Sequence, residues 1–196
     1  MTRRHIACLI GTNVAFAIVL GMPMTLNPPA AWAQEQPVAP ETNPPGDIPD
    51  SQVFITYTSP LGFSLKVPEG WARSDRADGA RFADKYDSVD VSAAAASSAP
   101  TVKTVRKDEA AALLKTGRAV KILSVTPIKL PTGNAVLIAY TSNSEPNAVT
   151  SKQIRLENNR YLFFNAGRLV ALDLSAPVGA DNVDQWKLMA ESFRWN

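Results

Sequence analysis

The sequence contains one histidine and one cysteine, His5 and Cys8, and both stand close to the N-terminus. If that segment is removed on export, the remaining chain has neither residue type. This absence excludes Ser-His-Asp triads, cysteine nucleophiles, zinc sites built from histidine or cysteine, covalent haem attachment, iron–sulfur clusters and disulfides. We therefore predict that the protein carries no cofactor and has no catalytic residue of these kinds.

Other catalytic and binding signatures are also absent. No Ser-x-x-Lys pair, Gly-x-Ser-x-Gly elbow or glycine-rich phosphate loop occurs in the sequence. The 196 residues carry 20 lysines and arginines against 18 aspartates and glutamates, so the charge is nearly balanced. This length is typical of one domain with short appendages, and nucleic acid is not an expected partner.

The N-terminus has the three-part layout of a secretory signal. Arg3 and Arg4 form a positive start, an apolar stretch runs over residues 6–20, and Pro23 follows. Small residues then occupy both positions of Ala31-Trp32-Ala33 that an export peptidase reads. We predict a signal peptide over residues 1–33, cleavage after Ala33, and a periplasmic location in a Gram-negative cell or secretion otherwise. An uncleaved membrane anchor is the alternative, whereas Cys8 precedes the apolar core and does not favour lipidation.

Residues 34–50 contain five prolines and only two large aliphatic residues, Val38 and Ile48. Such a segment cannot bury enough apolar surface to offset the entropy lost on ordering. It is predicted to be a disordered, semi-extended linker.

Residues 51–196 are predicted to form one α+β domain, a twisted antiparallel sheet with two helices on it. Alternating residues predict a hairpin over 53–67, and strands are expected over 80–86, 89–95, 119–129 and 134–142. Turns at Pro131-Thr132-Gly133 and Asn158-Asn159 divide the later strands, which cover 150–157, 160–165 and 168–175. In the last strands, Leu162 and Phe164 are expected to share a buried face with Val170, Leu172 and Leu174. Helices are expected over 105–116, capped by Thr104, and over 182–193, capped by Asp181.

Two segments resemble PsbP-like domains. The first is Tyr57-Thr58-Ser59-Pro60-Leu61-Gly62-Phe63-Ser64-Leu65-Lys66-Val67-Pro68-Glu69-Gly70-Trp71, and the second runs from Arg160 through Leu172-Asp173-Leu174-Ser175-Ala176-Pro177 to Phe193-Arg194-Trp195. The resemblance implies the α/β/α sandwich of that family, which LpqN-like bacterial lipoproteins share. It also implies a binding or assembly factor and not an enzyme. No functional residue of the family transfers to this chain. The metal contacts of the photosynthetic member involve histidine, and the only histidine of this sequence is His5.

Five aspartates within one short stretch, Asp75, Asp78, Asp84, Asp87 and Asp90, are candidate ligands for calcium or magnesium. Arginines and a lysine are interleaved with them and the spacing is not that of an EF-hand, so a solvated loop is the favoured interpretation. Similarly, Trp71, Trp186 and Trp195 can form a ligand platform, but core packing is favoured.

Two further sets are candidates for partner binding. The cations of the last strands can form a patch for an anionic polymer, an anionic lipid or an acidic envelope protein. In addition, one of the pairs Tyr161/Phe163 and Leu162/Phe164 must face away from the first core. These candidates are Lys152, Arg155, Arg160, Arg168, Tyr161 and Phe163.

Taken together, the sequence predicts an exported, non-catalytic binding or assembly-accessory protein of the cell envelope. The alternatives are a small hydrolase using Asp, Glu, Ser or Tyr, and an envelope protein tethered by an uncleaved anchor.

The cleavage site is directly testable. Mass spectrometry of the protein purified from the envelope fraction is expected to find Gln34 as the first residue. A chain beginning at Met1 or Thr2 would contradict cleavage and support the tethered form.

Overall fold

The computed structural model describes residues 35–196. The predicted signal peptide and its cleavage site lie outside the described residues. Ten strands and three helices occur in the described part, in the order β1 (Phe54–Ser59), β2 (Phe63–Pro68), β3 (Ala72–Arg76), β4 (Gly79–Asp84), β5 (Asp87–Ala95), α1 (Val102–Lys107), α2 (Glu109–Thr116), β6 (Lys121–Leu130), β7 (Gly133–Asn143), β8 (Arg155–Asn165), β9 (Arg168–Pro177), α3 (Val183–Ser192) and β10 (Arg194–Trp195). Within residues 35–196, no helix is long and apolar enough to cross a bilayer.

The strands form two antiparallel sheets. A small sheet has the order β1-β2-β10, and a large one has the order β3-β4-β5-β9-β8-β7-β6. One core lies between the small sheet, α3 and one face of the large sheet, and it includes Phe63, Phe163 and Phe193. A second, smaller core lies on the opposite face under α1 and α2, around Val105, Ile138 and Leu162. The predicted α+β class is confirmed.

The first predicted helix begins earlier and is divided. Thr101 caps α1 through a capping box with Thr104, so the helix starts at Val102. Asp108 separates α1 from α2. At the C-terminus Asn182, and not Asp181, occupies the position before α3.

The predicted turn at Asn158-Asn159 is wrong, because β8 is continuous from Arg155 to Asn165. Buried Asn158 fits a strand interior since its amide Nδ2 donates to Ser142 Oγ on β7, at 3.0 Å. The predicted face of β8 is also wrong. Tyr161 and Phe163 are the residues opposite Leu172 and Val170 on β9, while Leu162 packs under α1.

Residues 35–50, here called the strap, lie along the domain instead of forming the predicted disordered linker. Ile48 is only 4% exposed, and its N–H donates to Asn182 Oδ1 at 2.6 Å. Glu35 accepts hydrogen bonds from Arg118, Asn143 and Gln153. Composition underestimated the order of this segment because Ile48 is buried against the domain and all four of its acidic side chains bond to groups on the domain.

Asp87, at the start of β5, is a carboxyl group that the fold buries without a partner for Oδ1. Burial raises the pKa of Asp87 to about 7, and the carboxylates of Asp84 and Asp47 act in the same direction. The folded protein thus keeps this proton up to a pH at which an unfolded aspartate, with a pKa of about 3.9, has lost it.

Stability should therefore fall as the pH rises through the range from about 4 to 7. Asp87→Asn is expected to remove this part of the pH dependence and to raise the urea midpoint at pH 8 more than at pH 4.5. Asp75→Asn, which removes an exposed carboxylate of equal charge, is the control. Parallel midpoint-against-pH curves for Asp87→Asn and the unmodified protein would contradict the assignment.

Candidate functional site

The two faces of the large sheet carry different surfaces. Along β5 and β9, apolar and polar residues alternate, as in Val89-Asp90-Val91 and Leu172-Asp173-Leu174. The apolar residues enter the core beneath α3. The polar residues point to the opposite face, because successive side chains of a strand alternate between the two faces.

A row of four charged side chains crosses the polar face. Arg81, Asp90, Asp173 and Arg160 are successive register partners on β4, β5, β9 and β8. Arg160 Nη1 donates to Asp173 Oδ2 at 2.9 Å, and Arg76 holds both oxygens of Asp90 at 2.7 and 2.9 Å. We call these five residues the charge ladder.

The end of the charge ladder formed by Arg160 and Asp173 is largely removed from water. Burial raises the pKa of Asp173 to about 6, although the Arg160 guanidinium opposes the shift. Burial disfavours the charged form of Arg160, but Asp173 and Glu109 outweigh it and keep the Arg160 pKa raised. Burial also raises the pKa of Tyr140, whose hydroxyl donates to Asp173 Oδ1 at 3.4 Å.

The charge ladder forms part of the floor of a polar basin with a volume of about 540 Å³. Ser88 and Ser175 face each other on β5 and β9, with Asn158 next to them on β8. Tyr86 and the loop at Asn143–Glu145 stand at its sides. All of its lining residues except Leu156 have a side chain with a polar group.

A second concave surface, the α3 groove, lies on the other face between α3 and β6–β8. Its volume is about 420 Å³, and its lining includes Leu123, Ile128, Tyr161, Val183 and Trp186. Leu123 is 57% and Val183 is 73% exposed, which makes them two of the seven exposed large apolar side chains in residues 35–196. Half-buried Glu157 also lines the groove, and burial raises its pKa although the Gly179 N–H opposes this.

A β-bulge places Leu123 in this groove. The β6–β7 register shifts between Ile122 and Ser124, so Leu123 is the extra residue. As a result, Ile122 packs on the second core, while Leu123 joins Ile128 on the groove side. Bulges commonly redirect a side chain next to a binding site.

Neither a known protein family nor a characterised protein sequence matches the chain. Solved structures do. The solution structure of cyanobacterial PsbP (CyanoP) from Synechocystis sp. PCC 6803 superposes with a TM-score of 0.53 at 16% identity, over 79% of this chain and 100% of that one. This chain has a PsbP-like fold.

Two other solved structures superpose less closely on this chain. A Bacteroides thetaiotaomicron protein gives a TM-score of 0.45 at 10% identity, over 72% of this chain and 48% of that one. A Pseudomonas aeruginosa protein of unknown function gives 0.43 at 16% identity, over 68% and 91%. The expected resemblance is confirmed as a fold, and no residue role transfers at these identities.

The PsbP-like fold does not bring the candidate cation ligands together. Asp75 and Asp78 pair with Arg73 and Arg76. Asp87 lies buried at the β4–β5 turn, where Asp84 ends β4. Within residues 35–196, no group of three or more acidic, histidine or cysteine side chains has the arrangement of a metal site.

The candidate cations of the last strands do not form a single patch either. Arg155 is buried and donates to Ala119 O and Thr141 Oγ1, while Arg160 belongs to the charge ladder. Lys152 pairs with Glu41 of the strap, and Arg168 donates to the carbonyl of Leu61.

The aromatic candidates belong to the core. Tyr161 and Phe163 are buried, as is Trp186, and Trp71 and Trp195 pack against the same core. Tyr161 and Trp186 also line the α3 groove.

Sequence reasoning missed the charge ladder, although a signal for it was present. Ser88, Asp90 and Ser92 alternate with valines, and Asp173 and Ser175 alternate with leucines. Two adjacent strands with a polar set on one face predict a hydrophilic surface there. The alignment of these polar residues across neighbouring strands depends on the strand register, which the alternation within one strand does not specify.

The buried end of the charge ladder should be more important for stability than its exposed end. Arg160→Met leaves the Asp173 carboxylate without its cation, so unfolding free energy should fall by about 3 kcal/mol. Arg81→Met, at the half-exposed end and 3.7 Å from Asp90, should cost less than about 1 kcal/mol.

Urea denaturation at pH 7 measures both effects. Adding Asp173→Asn to Arg160→Met should recover part of the loss, because it removes the unpaired charge. Equal effects for Arg160→Met and Arg81→Met would show that the inner pair is not specially buried.

Proposed function

We propose that the protein is an exported, non-catalytic binding or accessory protein of the cell envelope, and that it holds an apolar small molecule in the α3 groove. The observation that carries the binding role is the groove itself. Ligand sites are typically concave, about 300–1,000 Å³ in volume and mostly apolar with a few polar groups. The α3 groove has this size and composition.

The exposure of Leu123 and Val183 supports the same role. Val183 lies on the apolar stripe of α3 but is 73% exposed, and the bulge turns Leu123 toward the same space. An apolar ligand seated between them would remove both side chains from water, at a gain of roughly 25 cal/mol per Å² buried.

A small molecule fits this groove better than an added peptide strand. The neighbouring strand β6 is an edge of the large sheet, and extended peptides bind to such edges. However, Pro127 has no N–H to offer, and the bulge at Leu123 interrupts the ladder. Both features are typical of edges protected against pairing.

The hydrolase alternative has less support. Asp90 and Asp173 lie opposite each other, but each carboxylate is held by a guanidinium group, from Arg76 and Arg160. The candidate cations for an anionic polymer or lipid are mostly paired within the domain, so we propose an apolar ligand or another envelope component as the partner instead. Export rests on the layout of residues 1–33.

Binding in the groove can be measured with N-phenyl-1-naphthylamine, an uncharged apolar dye whose fluorescence rises in an apolar site. Saturable binding is expected, with displacement by 1-octanol. Leu123→Asp and Val183→Asp should each weaken it by about tenfold, or ~1.4 kcal/mol, because they place a carboxylate beside the ligand.

Val149→Asp is the matched control, since Val149 is also exposed but lies outside the groove. It should leave dye binding unchanged. Absence of saturable binding, or equal loss in all three variants, would contradict the assignment of the α3 groove.

A further inference from the structure

We propose that the polar basin is a second binding site, on the face opposite the α3 groove, and that it takes a neutral sugar. Three observations on the described residues support this: unpartnered hydroxyls on its floor, balanced and fixed charges around them, and a tyrosine at its side.

Three serine hydroxyls line the basin. Ser88 and Ser175 are register partners on β5 and β9, and Ser92 follows on the same face of β5. None of the three hydroxyls has a hydrogen-bond partner within residues 35–196. Each can both donate and accept a hydrogen bond. A ligand with several adjacent hydroxyls can satisfy all of them at once.

The charges argue against an ionic ligand. The basin is lined by three cations, Arg81, Lys85 and Arg160, and three anions, Asp90, Glu145 and Asp173. An anion would meet the carboxylates and a cation would meet the guanidinium groups, so neither gains a one-signed field. Charge therefore favours a neutral ligand that accepts and donates hydrogen bonds together.

The charge ladder supplies directed groups for such a ligand. Arg76 forms a bidentate ion pair with Asp90, and Arg160 pairs with Asp173, so both carboxylates are fixed in place. Arg81 lies 3.7 Å from Asp90 and is half exposed, which leaves its N–H groups available to a ligand. Hydrogen bonds to such charged groups are stronger than bonds between neutral groups.

Tyr86 completes the resemblance to a sugar site. It lines the basin beside Ser88, and no hydrogen bond of its hydroxyl occurs within residues 35–196. A tyrosine offers an apolar ring face together with a polar tip. The C–H face of a pyranose ring can pack on the former while its hydroxyls bond to the latter.

Isothermal titration calorimetry on protein purified after expression of the full chain tests the proposal. Maltose, N-acetylglucosamine and glucose are the neutral probes. Glucuronate and glucosamine are negatively and positively charged relatives of glucose that keep the pyranose ring. At least one neutral probe should bind saturably, and glucuronate and glucosamine should bind at least tenfold more weakly than that probe.

Variants locate the binding. Ser175→Val and Arg81→Met should each weaken binding of the neutral probe by at least about tenfold, with urea midpoints confirming that both fold. Arg73→Met is the matched control, because Arg73 is equally exposed and also paired with an aspartate, but lies outside the basin. Leu123→Asp should have no effect, which separates this site from the α3 groove.

No saturable binding of any neutral probe would overturn the proposal and leave the basin as a solvated sheet face. Binding of glucuronate or glucosamine as tight as that of the neutral probe, or tighter, would overturn the neutral ligand class. Binding unaffected by Ser175→Val and Arg81→Met would place the sugar elsewhere.

Discussion

The register of β5, β9 and β8 is the constraint on which the rest of the structure depends. In this register Val91, Leu172 and Tyr161 stand side by side on one face, while Asp90, Asp173 and Arg160 stand side by side on the other. A slip of one residue would carry the carboxylates into the core and the leucines into water. The same pairing therefore fixes the core beneath α3 and aligns the charge ladder.

The surface properties of each face of the large sheet depend on the helices that cover it. α3 packs over the apolar face but leaves Val183, its first residue, 73% exposed, and the bulge at Leu123 bounds the resulting groove. On the other face α1 and α2 cover only one end, where Glu109 meets Arg160. The open remainder is the polar basin. The two proposed sites thus lie on opposite faces of one sheet with unequal coverage.

Much of the fold could be predicted from local patterns, since the β1–β2 hairpin and the turn at residues 131–133 have strong turn chemistry. Strand β3 was missed because all five of its residues are exposed and no apolar alternation marks it. Asn158-Asn159 was misread as a turn because the partner that its amide finds on β7 is distant in sequence. The candidate sites were harder to predict than the fold, because the α3 groove depends on a bulge and the charge ladder depends on strand register. Both are properties of pairs of strands, which a single strand's sequence does not specify.

We propose that opposite faces of the large sheet bind ligands of different chemistry. Amide NMR spectra of the ¹⁵N-labelled protein, titrated in turn with N-phenyl-1-naphthylamine and maltose, test this proposal. The naphthylamine should shift the amide signals of Leu123 and Val183 most, while maltose should shift those around Ser88, Asp173 and Ser175. If both probes shift the same set of amide signals, or if maltose shifts those of α3, the two faces do not bind different ligands.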